Sequence, residues 1–336
     1  MDHLTLFPED REPDEPNGPP DRPTPEELTR LRDRLPPEVL FGTSSWNYPG
    51  WAGLVYSRLY PAAGKTAEML AEYARFPLFR TVGIDSSFYD PPTPETLDRY
   101  ADALPPGFRC VSKVWDRITV HTFASPKEKR RSGEQNPDFL SPALFIDSMY
   151  GPYQERFRDH TGPFVFEFQT ISEHDGFTRA EFADRLDRFF SALPPEGPYA
   201  VEIRNPEYLT PAYFAVLREH NVAHVFNSWT RMPSIGTQLD LPEPVTASFL
   251  VVRALLSPGR TYSDAVDSFA PYDRIKEADP SLRADLIRLI ETARRLRLPL
   301  YLLVNNRTEG SAPLTITALA RMLTEGGKAA GRQGGQ

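Results

Sequence analysis

The sequence is poor in cysteine, in long apolar runs and in excess positive charge. Cys110 is the single cysteine among 336 residues, which excludes an internal disulfide framework and a cysteine-rich metal site. No apolar run approaches the roughly 18 residues of a membrane-spanning helix, and the acidic N-terminus lacks the basic start of a secretory signal. We therefore predict a cytoplasmic protein without a membrane partner. The net charge of −8 argues against bulk nucleic-acid binding but leaves room for a local basic site.

Familiar catalytic motifs are also missing. The sequence contains no G-x-S-x-G nucleophile motif, no glycine-rich phosphate loop, no H-E-x-x-H metal motif and no cysteine pair. Its apolar content of 40%, aromatic content of 12% and mean hydropathy of −0.45 are those of an ordinary globular protein. A chain of this length accommodates one large α/β barrel or two average domains. The order of its segments has to decide between them.

Strand-like and helix-like segments alternate from residue 39 onward. The predicted strands span residues 39–45, 81–86, 109–114, 163–169, 199–204, 222–227, 248–253 and 299–305. The predicted helices span residues 66–76, 94–103, 140–157, 178–193, 211–220, 280–296 and 313–323, and several begin with proline after Thr, Ser or Asp. Residues 228–247 hold three prolines and read as a loop. This alternation predicts an α/β fold, a TIM-like (β/α)8 barrel with parallel strands and outer helices.

The barrel is expected to form one domain over residues 38–325. Residues 1–37 form a tail rich in proline and acidic residues, expected to be mostly disordered apart from a short helix over residues 26–35 that Thr24 caps. Residues 326–336 are expected to be a disordered C-terminal tail. A long polar stretch after the third strand, residues 116–139, contains a basic run at residues 127–133 and is expected to form either a lid or a solvated loop tip.

Polar residues recur at the ends of the predicted strands, on the face that turns into the barrel. Alternate residues of a barrel strand face the interior and the helices. Because unpaired buried charges are costly and barrel enzymes build their sites at this end, such residues predict a functional site. A self-satisfied polar network that closes the barrel mouth is the alternative. The inward residues are Gly83, Asp85, Lys113, Glu167, Gln169, Glu202, Arg204, Asn227, Arg253 and Asn305.

Aromatic residues cluster at the same end of the predicted barrel. Rings around a polar floor suit a ring-shaped or sugar-like ligand, whose apolar face stacks while its hydroxyls form hydrogen bonds. Packing beneath the loops is the alternative for any one of these rings. The residues concerned are Trp46, Tyr48, Trp51, Tyr89, Trp115 and Trp229.

Two groups of roles follow for the charged residues. Glu167 and Glu202 are predicted to be an acid/base pair with Asp85 as helper, as expected of carboxyl groups whose environments differ. Lys113, Arg204 and Arg253 are predicted to orient a phosphate or carboxylate, while Gln169, Asn227 and Asn305 contribute hydrogen bonds. The activity would be of hydrolase or isomerase type, on a small sugar-like or phosphorylated ligand. A non-catalytic ligand-binding barrel is the alternative.

The cofactor stays open at this point. A divalent metal held by Asp85, Glu167, Glu202 and His121 is conceivable, because carboxylate oxygens suit such ions. Inward histidines are scarce, however, so we assign no metal ligand.

An ordered set of motifs resembles one known family. The motifs occupy residues 42–51, 81–89, 108–113 with Ile118-Thr119 behind, 166–169, 201–206, and 304–306 with 310–313. They resemble the YecE-like family, the domain of unknown function 72, over roughly residues 40–325. The resemblance implies a TIM-like barrel and no established reaction. The family's second strand usually reads Val-Glu-Ile-Asn-Ser, whereas Gly83 and Asp85 stand here in place of Glu and Asn. If the family's glutamate is catalytic, Gly83 implies an altered or lost activity.

The N-terminal segment His3-Leu4-Thr5-Leu6-Phe7 suggests a different function. It resembles, with one mismatch, the Gln-Leu-Ser/Asp-Leu-Phe peptide by which bacterial proteins dock on the replication sliding clamp. Through Leu4, Leu6 and Phe7 the protein would be a nucleic-acid-associated factor, with the basic run and the aromatic residues helping to bind. The alternative is a hydrophobic tip that packs on the domain or stays disordered.

Overall fold

Eight parallel strands form a nearly closed barrel, as predicted. The computed structural model describes residues 22–61, 63–123, 133–169, 178–256 and 268–330. The strands are β1 Val39–Thr43, β2 Thr81–Ile84, β3 Arg109–Lys113, β4 Thr161–Phe168, β5 Tyr199–Ile203, β6 Ala223–Ser228, β7 Leu250–Ala254 and β8 Leu300–Val304. Their order around the sheet is β1-β8-β7-β6-β5-β4-β3-β2. All consecutive strands therefore pair in a hydrogen-bonded ladder except β1 and β2, and β1 pairs with β8.

Helices surround the barrel on its outer face. They are α1 Pro25–Arg32, α2 Thr66–Tyr73, α3 Pro94–Ala103, α4 Asp116–Thr119, α5 Pro142–Phe145, α6 Gly151–Arg156, α7 Arg179–Ser191, α8 Pro211–Glu219, α9 Ile235–Leu239, α10 Pro280–Leu296 and α11 Ala312–Ala330. None of the helices in the described part of the chain has an apolar stretch long enough to cross a lipid bilayer.

Helix starts follow the capping chemistry that the sequence shows. The Thr93 hydroxyl accepts a hydrogen bond from the Thr96 amide at the start of α3, and the Asp279 carboxylate accepts one from the Leu282 amide at the start of α10. In both helices proline occupies the first turn, where the N–H group that proline lacks would have no acceptor within the helix. These two helices have the predicted bounds.

Three predicted segments differ from the structure by more than a few residues or in the type of element. The helix predicted over residues 140–157 is α5, a π-helical turn Ile146–Tyr150 and α6. Residues 228–247, predicted to be a loop, contain α9, which Ser234 caps by accepting from the Thr237 amide. Helix α11 ends at Ala330 rather than at residue 323. Of the predicted lid, residues 124–132 lie outside the described residues, and α4 occupies its start.

The interior of the barrel consists of an apolar layer and, nearer the C-terminal ends of the strands, a polar layer. Along the strands, the inward positions first carry a buried apolar layer and then, two residues later, the polar and charged residues. Strand parity therefore places the polar layer at the C-terminal ends of the strands, as predicted. The apolar layer includes Val111, Val165, Ala200, Val225, Val251 and Leu303.

The edge between β1 and β2 is closed without a ladder. The Arg80 amide donates to the Phe41 carbonyl at 2.8 Å, and the Tyr73 hydroxyl links the two strands. That hydroxyl accepts from the Thr43 amide at 2.9 Å and donates to the Thr81 carbonyl at 3.2 Å. A side chain from α2 thus supplies hydrogen bonds that a ladder would otherwise provide.

Two glycines allow this close approach. A Cβ atom on Gly42 would lie 2.2 Å from the Thr81 carbonyl oxygen, and one on Gly83 would lie 2.6 Å from the Ser44 carbonyl oxygen. Real Cβ atoms do not approach backbone oxygens so closely, so each strand needs glycine where it meets the other. A side chain larger than that of glycine does not fit at position 83 on this backbone.

Candidate active site at the barrel mouth

The guanidinium of Arg253 lies at the centre of the polar layer. Its Nη1 donates to Glu167 Oε2 at 2.8 Å and to Glu202 Oε2 at 2.5 Å. Its Nη2 donates to both oxygens of Asp85, at 3.1 and 2.9 Å. Burial disfavours the charged form, but Asp85, Glu202 and Glu167 outweigh it, so the pKa of Arg253 lies well above its usual value. Three carboxylates therefore share one internal cation.

One oxygen of Glu167 contacts all three cations. Its Oε2 lies 2.8 Å from Lys113 Nζ, 2.9 Å from Arg204 Nη2 and 2.8 Å from Arg253 Nη1. Burial opposes ionisation of this carboxyl, but the charges of Arg204, Lys113 and Arg253 prevail and hold the pKa of Glu167 well below its usual range. Glu167 is therefore a permanent anion at neutral pH.

Arg204 is fixed by Glu202 and Trp229 as well as by Glu167. Its Nε and Nη2 donate to Glu202 Oε1 at 3.0 and 2.9 Å. Its guanidinium lies over the ring of Trp229, with the central carbon 3.8 Å from the ring centroid. Stacking on an aromatic face and bidentate binding to a carboxylate are the contacts that favour arginine over lysine.

Lys113 is held in place by residues of the turn that follows β2. The Ser87 hydroxyl donates to the Lys113 carbonyl at 2.6 Å, and the ammonium lies over the Phe88 ring at 3.7 Å from its centroid. Asp85, Ser87 and Phe88 belong to the 3-10 turn Asp85–Phe88. This short turn therefore supplies both an anion and an aromatic support to the site.

The three carboxylates differ in access to solvent. The side chains of Glu167 and Glu202 are 4% and 0% exposed, whereas that of Asp85 is 30% exposed. Nitrogen Nη1 of Arg253 lies between the two glutamates and contacts both. The space that a bond would need between a catalytic acid and base is therefore filled by the guanidinium, and Asp85 is the carboxylate of the three that faces outward.

Asn227 and Asn305 lie in the same layer but bond elsewhere. The side-chain amide of Asn227 donates to the Ile203 carbonyl at 3.2 Å. The Asn305 side-chain oxygen accepts from the Arg307 amide at 3.0 Å. Both side chains are buried and hold backbone segments in place. Sequence reasoning missed Gln238 of α9, whose amide group is fully buried and donates to the Asn227 carbonyl at 2.8 Å.

Trp46 and Trp51, predicted ligand contacts, are enclosed. The indole nitrogen of Trp46 donates to the Thr66 carbonyl at 2.8 Å, and that of Trp51 donates to Asn306 Oδ1 at 3.2 Å. Both rings are buried, so they pack beneath the β1–α2 connection instead of facing a ligand. Tandem aromatic residues after a strand do not reveal which rings turn inward.

The remaining predicted residues form a more open rim. Trp115 is half-buried, and the guanidinium of Arg117 lies 5.8 Å from its ring centroid. Tyr48 is half-buried against Trp51, with centroids 5.0 Å apart. Tyr89 is exposed. Gln169 is exposed because β4 ends at Phe168, one residue earlier than predicted.

The described part of the chain contains no group of three His, Cys, Asp or Glu side chains arranged to hold a metal ion. The three carboxylates of the mouth face the guanidinium of Arg253 instead, as their hydrogen bonds show. His121, the fourth residue considered for a metal, contacts Thr122 through Nδ1 at 3.1 Å and packs edge-on against Phe139.

Comparison with known proteins gives a family but no activity. The family model for proteins of unknown function, DUF72, matches residues 40–335. A DUF72 protein from Thermotoga maritima is 17% identical, with a TM-score of 0.57, and the match covers 85% of this chain and 99% of that one. A DUF72 protein from Enterococcus faecalis is 18% identical, with a TM-score of 0.56, covering 85% and 95%. No curated protein is detectably similar.

Proposed function

Because the chain belongs to the DUF72 family, whose description assigns no activity, we propose from the barrel mouth alone that the protein is an enzyme. It would carry out acid/base chemistry, of hydrolase or isomerase type, on a small sugar-like or phosphorylated ligand. The observation that carries the proposal is the network of Asp85, Glu167, Glu202 and three cations at the C-terminal ends of the strands. Buried ionic networks are costly, and in barrels this end is where catalytic residues lie.

Within this proposal Asp85 is the proton-transferring group. It is the most exposed carboxylate of the three, and Arg253 binds both of its oxygens and fixes its orientation. Glu167 stays ionised because three cations surround it, so it cannot donate a proton at neutral pH. Glu167 and Glu202 then act by holding Arg204, Lys113 and Arg253 in place. This division of roles differs from the acid/base pair expected from the sequence.

The cations supply the second part of the chemistry. The side chains of Lys113 and Arg204 are slightly exposed to solvent, so a substrate can reach them. Positive groups held in fixed positions stabilise negative charge that develops on a substrate oxygen. The half-buried ring of Trp229, already stacked on Arg204, offers an apolar surface for a sugar-like ring. A proton-abstracting carboxylate in one layer with fixed cations suits an isomerase as well as a hydrolase.

The proposal is tested with purified protein against a panel of monosaccharides, polyols and their phosphate esters, assayed for turnover and for thermal shift. Asp85→Asn keeps the size of the side chain but removes the base, and it should lower any turnover about 100-fold or more. Asp90→Asn, an exposed carboxylate five positions further on, is the matched control and should retain full activity. Full turnover in Asp85→Asn would reject the role of Asp85.

The Glu202→Gln variant tests whether turnover depends on the ionic network. Loss of the charge at Glu202 frees Arg204 and Arg253 from one partner, so any turnover should be lost. A ligand that binds the wild-type protein without conversion under all conditions would instead indicate a non-catalytic binding barrel.

The second candidate function, docking on a sliding clamp, rests on the N-terminal peptide. Leu4, Leu6 and Phe7 lie outside the described residues, so the sequence alone supports this proposal. A pull-down with purified clamp should retain the wild-type chain and lose the Leu6→Ala/Phe7→Ala double variant. Equal retention of the two proteins would remove the idea.

A further inference from the structure

Two cations at the barrel mouth, Lys113 and Arg204, have N–H groups that no acceptor in the described part of the chain takes up. A guanidinium has five N–H donors and an ammonium has three. Arg204 uses Nε and Nη2 on Glu202 and Glu167, and Nη1 has no acceptor within the described part of the chain. Lys113 Nζ contacts Glu167 Oε2 and likewise has no second acceptor there. Both groups therefore keep N–H donors for a molecule that is not part of the protein.

These free donors lie next to each other. Lys113 Nζ and Arg204 Nη2 contact the same oxygen, Glu167 Oε2, at 2.8 and 2.9 Å. Each cation also rests on an aromatic ring, Phe88 and Trp229 respectively. Because the rings and the glutamates fix both cations before any ligand arrives, little side-chain entropy is lost on binding.

Glu167 shows what kind of group this site accepts. A single carboxylate oxygen is surrounded by three cations that repel one another. A second oxyanion beside it would reduce that repulsion and take up the unused N–H groups of Lys113 and Arg204. The opposing term is the negative charge of Glu167 itself, so the affinity for a small free ion is expected to be weak.

We propose that Lys113 and Arg204 form an oxyanion subsite at the barrel mouth, which binds the carboxylate or phosphate group of the ligand while Trp229 contacts the rest of it. This inference rests on the proposed function, which it extends by requiring an anionic group on the substrate. In the bound state, Lys113 Nζ and Arg204 Nη1 donate to the oxyanion, and Asp85, oriented by Arg253, transfers the proton.

The test uses the indole N–H signals of the four tryptophans in two-dimensional NMR spectra of the whole protein. Trp229 lies on Arg204 and reports on the subsite, whereas the enclosed Trp46 and Trp51 are internal references. Trp229→Phe assigns the signal. Sodium acetate and sodium phosphate are titrated separately at constant ionic strength against sodium chloride. We expect the Trp229 signal to shift saturably with one or both oxyanions, with a dissociation constant on the order of millimolar.

Two variants make the result specific. Lys113→Met removes the ammonium but leaves Glu167 with Arg204 and Arg253, and should weaken the response at least about tenfold. Arg231→Gln removes an exposed arginine near Trp229 in sequence and should leave the response unchanged. A response to acetate indicates a carboxylate ligand, and a response to phosphate indicates a phosphate ester. An unspecific shift that chloride reproduces, or an unchanged titration in Lys113→Met, would overturn the subsite.

The two proposals fail in different ways. Saturable oxyanion binding in a protein that converts no compound of the panel would keep the subsite and reject the enzyme. Turnover that depends on Asp85, in a protein whose Trp229 signal ignores both oxyanions, would keep the enzyme and reject the subsite.

Discussion

At the scale of single residues, Arg253 is the group whose loss should disturb the barrel mouth most. Arg253→Met keeps much of the apolar volume but leaves Asp85, Glu167 and Glu202 facing one another without their shared cation. Breaking a buried ion pair from one side costs about 3–5 kcal/mol, so we expect a loss of that size in the free energy of unfolding, measured by chemical denaturation. Arg288→Met, which breaks an exposed pair with Asp240, should change the stability little. Equal losses in the two variants would contradict the central role of Arg253.

Glu167 makes the stability depend on pH in a defined direction. Its pKa is lowered in the folded protein, whereas an unfolded glutamate titrates at about 4.3. The stabilisation is fully present above that pH and is lost progressively as the pH falls towards the lowered folded pKa, because the unfolded chain takes up the proton first. The wild-type protein should therefore lose stability more steeply than Glu167→Gln below about pH 5. Parallel curves would show that the three cations do not hold Glu167 ionised, and Glu219→Gln, at an exposed position, is the control.

Residue types and strand parity predicted most of the side chains that share the polar layer, Gln169 being the exception, but they did not predict how those side chains pair. Asp85, Lys113, Glu167, Glu202 and Arg253 all lie where alternation along the strands predicts. Alternation carries no information on the distance between side chains of different strands. The position of the Arg253 guanidinium between the two glutamates, which shifts the proposed proton transfer to Asp85, is therefore visible only in the structure.

At the scale of secondary-structure elements, Tyr73 of α2 provides hydrogen bonds between β1 and β2 that neighbouring strands usually form with each other. Its hydroxyl accepts from the buried Thr43 amide and donates to the Thr81 carbonyl. Tyr73→Phe leaves that amide without a partner, so we expect a loss of about 1–3 kcal/mol in the free energy of unfolding. Tyr301→Phe is the matched control because the Tyr301 hydroxyl, on β8, has no hydrogen-bond partner in the described part of the chain. A loss no larger than that of Tyr301→Phe would show that β1 and β2 are held together by packing alone.

Elements were predicted well where local chemistry marks their ends. Thr93 with Pro94, and Asp279 with Pro280, mark the starts of α3 and α10, and both helices have the predicted bounds. The π-helical turn Ile146–Tyr150 has no comparable local signal, so the predicted single helix is in fact three segments. Helix α9 lies between prolines, which predict a loop, although its buried Gln238 fixes the end of β6.

At the scale of the whole molecule, helix α1 extends the folded unit beyond the eight βα repeats. It packs on α11 through a bidentate ion pair, in which Arg321 donates to both oxygens of Glu27 at 2.8 and 3.1 Å. Its inner face buries Leu28 and Leu31 in the same core as the strands. The sequence-based boundary at residue 38 places this helix in a tail, because its short apolar pattern does not show what it packs against.

The contribution of α1 to the barrel can be measured with one substitution made at two positions. Leu31 is 4% exposed and Leu59 is 75% exposed. Leu31→Ala removes buried apolar contacts and leaves a cavity, so it should lower the free energy of unfolding by about 2–5 kcal/mol in a single cooperative transition. Leu59→Ala removes the same atoms from solvent and should change the stability by no more than about 0.5 kcal/mol. If the two variants unfold alike, α1 does not belong to the cooperative unit and the domain begins at β1; a loss confined to Leu31→Ala places the start of the domain at α1.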